Sequence, residues 1–140
     1  MKYNYKYKIL IVDNEDNEKV VSLLKKNLEQ EGYGVDLCLS ATEALEKAKI
    51  TKYHIVLTAI DMPQMDGLEL LREIKSYDPM AQVIMMTEFS TMARILSALE
   101  YGANDYILKP FKNNEYVLDI IQYSVKKLER WRNAFVEIVQ

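Results

Sequence analysis

Four short apolar runs constrain this chain most: Ile9-Leu10-Ile11-Val12, Ile55-Val56-Leu57, Val83-Ile84-Met85-Met86 and Tyr106-Ile107-Leu108. None of them alternates apolar with polar residues. A strand with one wet face must alternate. These runs therefore predict strands buried on both faces, as in a parallel sheet covered by helices. A weaker run, Val35 to Leu39, predicts a fifth strand at the sheet edge.

Helical spacing fills the intervals. Val20, Leu23, Leu24 and Leu28 predict a helix over about 17–31, closed by Gly32. Ser40 followed by Glu43 is a capping box that opens a second helix running to about Lys49. Leu68, Leu71 and Ile74 mark a third helix, ended before Pro79, and Met92, Ile95, Leu96 and Leu99 a fourth, closed by Gly102. Asn113 caps a long fifth helix that reaches the C-terminus. The order is βα repeated five times, which implies an α/β, doubly wound parallel sheet with helices on both faces.

Composition bounds the function classes. The 140 residues, 49% of them hydrophobic, suit one folded domain and exclude wholesale disorder. A net charge of −3 argues against a nucleic-acid partner. One cysteine cannot form an internal disulfide, no apolar run is long enough to span a membrane, and the Lys- and Tyr-rich start has no signal-peptide core. The expectation is a cytoplasmic protein with no membrane partner.

Ligands of such sheets bind beyond the carboxyl ends of the strands. Those ends carry Asp13-Asn14-Glu15-Asp16, Thr58-Ala59-Ile60-Asp61, Thr87-Glu88 and Lys109-Pro110. An acidic cluster, a hydroxyl and a lysine thus converge on one rim.

In order and spacing, Ile9-Leu10-Ile11-Val12-Asp13-Asn14-Glu15, Met62-Pro63-Gln64-Met65-Asp66-Gly67, Met86-Thr87 and Tyr106-Ile107-Leu108-Lys109-Pro110-Phe111 resemble the receiver domain of two-component response regulators. The resemblance covers roughly residues 8–126. It implies a flavodoxin-like five-stranded sheet of order 2-1-3-4-5. It also implies a function: a phosphoryl group passes from a sensor histidine kinase to an aspartate of the receiver. That chemistry asks for a carboxylate nucleophile, a Mg²⁺ ion on the phosphoryl oxygens, and a lysine and hydroxyl on the rest. The output is a change in binding to a downstream protein partner or output domain, so the chain is not an enzyme in the turnover sense.

Carried over by residue, the resemblance places Asp13 and Asn14 at the acidic metal pair and the backbone carbonyl of Asp61 at the third metal ligand. Lys109 falls on the phosphate-contacting lysine, Pro110 on the proline after a cis peptide, Thr87 on the switch hydroxyl and Tyr106 on the aromatic switch. The phosphoacceptor lies four residues before the proline of Met62-Pro63, and that position is Ala59. The nucleophile is missing, so phosphorylation is expected to be blocked. Asn14 replaces an acid with an uncharged amide, so Mg²⁺ is expected to be weakened or absent. Two accounts of Ala59 stand. One is an engineered or recent Asp→Ala change in a working receiver, the other a natural pseudo-receiver that acts as a phosphate-independent interaction module. A flavin-binding electron carrier on the same topology is disfavoured by the acidic Asn14-Glu15-Asp16, which would repel a phosphate.

The last helix carries a further signal. Val117, Ile121, Ser124, Leu128, Trp131, Phe135 and Ile138 follow steps of four and three, a heptad seam. Covering the sheet requires the helix only to about residue 126. The expected division is a receiver over 1–126 and a helical extension over 127–140, projecting about 20 Å and offering a surface for a homodimer.

Overall fold

The computed structural model describes residues 6–88, 91–111 and 113–139. Residues 1–5, 89–90, 112 and 140, within the expected ranges 1–126 and 127–140, lie outside them. The element order is β1 (Lys8–Val12), α1 (Glu18–Gln30), β2 (Gly34–Cys38), α2 (Ala41–Ile50), β3 (Ile55–Ala59), α3 (Gly67–Tyr77), β4 (Gln82–Thr87), α4 (Met92–Glu100), β5 (Asp105–Leu108) and α5 (Asn114–Val139). A single 3-10 turn, Glu15–Asn17, precedes α1.

All strand pairs are parallel, in the order β2-β1-β3-β4-β5. The strand period of two divides the side chains between two cores. Ile9, Ile11, Ile55, Leu57, Ile84 and Met86 meet Val21, Leu24 and Leu28 of α1 and Val117 and Ile121 of α5. Leu10, Val12, Val56, Val83 and Met85 meet α2, α3 and Ala98 of α4. Two covered faces explain why the central strands show no alternation. Cys38, on edge strand β2, is buried, and burial pushes its thiol up to about 11.

Local chemistry starts the helices where expected. Ser40 Oγ accepts from the Glu43 N–H at 3.2 Å, and Asn113 Oδ1 accepts from the Tyr116 N–H at 2.8 Å. Gly32 and Gly102 follow α1 and α4 with φ of 97° and 95°.

Three expectations need correction. On α1, Val21 is buried while Val20 and Leu23 are exposed, because the covered stripe runs through 21, 24 and 28. On α4, Ala98 is the buried residue, and Met92, Leu96 and Leu99 point outward. The apolar spacing is helical there, but it faces away from the sheet. β5 is not buried on both faces: it is an edge strand, with Leu108 exposed.

The heptad seam of α5 divides sharply. Val117, Ile121, Ser124 and Leu128 are buried on the domain, while Trp131, Phe135 and Ile138 are exposed by 58%, 52% and 79%. Lys6 Nζ and the Tyr7 hydroxyl both donate to Glu129 Oε2, at 3.3 and 2.8 Å, where the helix leaves the sheet.

Candidate functional site at the strand ends

Asp13 follows β1 directly and is fully buried. Its Oδ1 accepts from the Asn14 backbone N–H at 2.8 Å and from Asn17 Nδ2 at 3.2 Å. Its Oδ2 pairs with Lys109 Nζ, and the Lys109 side chain is itself only 8% exposed. Desolvating two opposite charges is expensive, and here the pairing plus two amide donors offset the cost. Lys109 is positioned by its own backbone, whose N–H donates to the Thr87 carbonyl at 2.8 Å. The Lys109-Pro110 peptide is cis.

Asn14 closes the loop after β1. Its Oδ1 accepts from the Asp16 N–H at 3.0 Å, capping the 3-10 turn, and its Nδ2 donates to the Asp61 carbonyl at 3.3 Å. The Asp61 side chain turns outward, where Oδ1 accepts from the Arg94 guanidinium of α4 at 2.5 Å. Its carboxylate is thus turned to the surface, away from the buried Ala59.

Ala59 ends β3 opposite Met86 of β4 and is buried. The loop after it is closed by the Gly67 N–H donating to the Ile60 carbonyl at 2.8 Å, and Asp66 caps α3 by accepting from the Glu69 N–H at 2.9 Å. Asp13, Asn14, Ala59, Asp61, Thr87 and Lys109 line one cavity of about 200 Å³. The structure therefore brings six of the expected residues together. Thr87, at the end of β4, is buried beside that cavity. Tyr106 does not line it; it is half-buried on β5 and packs against the core on the α2–α4 side. Asn17 and Arg94 join the rim as well, with no motif to mark them. Asn17 lies four residues beyond Asp13, a separation that a turn can close, whereas no spacing links Arg94 to Asp61.

A divalent cation at this rim would need Asp13, Asn14 and the Asp61 carbonyl as oxygen donors. Asp13 is already shared between an ammonium and two amides, and Asn14 turns its NH₂ toward Asp61. The two ends of the Asn14 amide are assigned by need, since the Asp16 N–H requires an acceptor and the Asp61 carbonyl a donor. One carboxylate neutralised by a lysine, beside an amide in the donor orientation, does not fit Mg²⁺, which demands near-octahedral oxygen ligands. Among the described residues, no group of three or more His, Cys, Asp or Glu side chains could hold a metal ion.

Fold and rim together define a class, the CheY-like signalling domains built on a flavodoxin-like sheet. The profile of the response regulator receiver domain matches residues 9–121, and the chain belongs to that family. It is 38% identical over 112 residues to YkoG, an uncharacterized transcriptional regulatory protein of Bacillus subtilis (strain 168), covering 80% of this chain and 48% of that protein. It is 36% identical over 108 residues to the alkaline phosphatase synthesis transcriptional regulatory protein PhoP of the same organism, covering 77% of this chain and 44% of that one. The chain thus spans less than half the length of either relative. Among solved structures, a CheY-like receiver domain protein from Methanospirillum hungatei JF-1 superposes with a TM-score of 0.84 at 32% identity, covering 89% of this chain and 97% of that one. The beryllofluoride-activated NtrC4 receiver domain dimer superposes at 0.79 with 30% identity, over 86% and 98% of the two chains. No described helix is long and apolar enough to cross a membrane.

Proposed function

We propose that this chain is a two-component receiver domain that signals through partner binding and takes up no phosphoryl group in its present sequence. One observation carries the reading: at the carboxyl end of β3, in the cavity shared by Asp13, Thr87 and Lys109, the side chain is the methyl of Ala59. A methyl has no lone pair to attack phosphorus. Lys109 and Thr87 keep the chemistry that would hold phosphoryl oxygens, with Pro110 after the cis bond and Tyr106 as the switch aromatic on β5. The receiver is assigned to 1–126 and the extension to 127–140, whose described residues continue α5 toward an output domain or a second copy. Membership of the family supports a sensor histidine kinase and a downstream protein as partners, and a cytoplasmic setting.

A second reading is a phosphate-independent pseudo-receiver kept for docking. Asn14 favours it, because that second departure is built into the surrounding hydrogen bonds rather than left as an isolated gap. The test is intact-mass measurement after incubation with Mg²⁺ and a small-molecule phosphodonor. The present chain is expected to gain nothing, and an Ala59→Asp, Asn14→Asp double variant is expected to gain one phosphoryl group. A phosphoryl gain by the present chain overturns the blocked-acceptor reading. A folded double variant that gains none favours the pseudo-receiver.

A further inference from the structure

The polar contacts at the rim form one connected path. Lys109 joins the end of β5 to Asp13 at the end of β1. Asn14 joins the loop after β1 to the backbone after β3, and Arg94 joins that segment to α4. Asn17 adds a second amide to Asp13. Every oxygen that a cation would use already accepts a hydrogen bond from this chain. Asp13 Oδ1 takes two N–H groups, Asp13 Oδ2 takes an ammonium, and the Asp61 carbonyl takes the Asn14 amide.

We infer that Asn14, with Asn17 and Lys109, substitutes for the cation, so that the rim is assembled by internal amide and ammonium donors and is insensitive to Mg²⁺. This rests on the receiver reading for where the cation would sit. The physical case has two parts. First, an ion entering the site must displace Lys109 from Asp13, which strands a nearly buried ammonium without its counter-charge. Second, turning the Asn14 oxygen toward an ion sets it against the Asp61 carbonyl and removes the acceptor of the Asp16 N–H. Both moves lose contacts that a single remaining carboxylate does not repay. Asn14 is therefore an occupant of the site rather than a weakened ligand.

An aspartate at position 14 reverses the second part. Its carboxylate would face the Asp61 carbonyl oxygen, an acceptor-to-acceptor contact that a cation relieves, and it supplies the missing charge. The experiment is a MgCl₂ titration of the full chain followed by amide NMR, with NaCl at matched ionic strength as control. The reporters are the backbone amides of Asn14, Asp16, Asn17 and Asp61. In the native chain these signals are expected to drift only as they do in NaCl. In Asn14→Asp they are expected to shift saturably at millimolar Mg²⁺. Saturable, Mg²⁺-specific shifts in the native chain overturn the inference. So does a folded Asn14→Asp variant that stays blind to Mg²⁺, since the amide would then not be what excludes the ion. The native titration needs no variant, so it decides even if Asn14→Asp does not fold. The titration also stands apart from phosphoryl uptake: a chain that binds Mg²⁺ and takes no phosphate overturns this inference alone.

Discussion

The backbone of Gly67 lies so close to that of Ala59 that a Cβ built on Gly67 would stand 1.9 Å from the Ala59 carbonyl oxygen. The contact is between backbones, so no side chain can move aside. It clamps the start of α3 against the end of β3 at Ala59, together with the Gly67 N–H bond to the Ile60 carbonyl. Gly67→Ala must push α3 away from β3. The expected loss is about 3 kcal/mol or more, at the top of the range for overpacked cores. Urea unfolding that shows an unchanged midpoint would contradict the clamp.

Ser124 predicts the opposite sign. It lies on the buried seam of α5, and among the described residues its hydroxyl meets no hydrogen-bond partner. A buried hydroxyl without a partner forfeits its hydration for nothing, so Ser124→Ala is expected to stabilise by about 1 kcal/mol. The readout is a higher denaturant midpoint at constant slope. A lower midpoint would mean that the hydroxyl has a role in the fold after all.

The parallel sheet was legible because strands covered on both faces cannot alternate, and Leu10 and Ile11 face different cores on that account. The rim was legible through motifs, since Asp13, Thr87 and Lys109 fall at strand ends by chain order alone. Burial on α4 was not legible. Met92, Leu96 and Leu99 have the right spacing, but spacing does not say which side of a short helix meets the sheet, and Ala98 does. The roles of Asn17 and Arg94 were equally hidden, because each depends on a contact between elements that local patterning does not encode.

His54 predicts a pH response. Its Nδ1 accepts from the Lys8 backbone N–H at 3.0 Å, so the bond exists only for the neutral ring. Burial, then Lys52 and Arg132, lower its pKa below the ordinary 6.5, with Asp78 opposing, and the Tyr7 ring packs edge-on at 5.3 Å. The unfolded chain therefore binds the proton more readily, and stability falls as pH drops through the ordinary histidine range. His54→Asn keeps an acceptor near the Nδ1 position and cannot titrate in that range. Unfolding free energies measured between about pH 7 and pH 5 are expected to fall more steeply for the native chain than for the variant. Parallel curves would exclude His54 as the source.

The α5 extension predicts self-association. The helix runs for 26 residues, about 39 Å, and its buried seam ends at Leu128. Beyond that point Trp131, Phe135 and Ile138 continue the same heptad in solvent. A stripe of this kind is a liability for a monomer and a seam for a second helix. If two copies pair there, each removes its Trp131 and Phe135 from water, and those two aromatic side chains supply most of the apolar area gained. Sedimentation is expected to show a concentration-dependent dimer for the native chain and a monomer for the Trp131→Ala, Phe135→Ala variant. Neither residue supports the receiver core, so the variant should unfold at nearly the midpoint that the native chain shows when diluted to a monomer. Two monomers in that comparison would remove the dimer and leave the extension as a surface for a different partner.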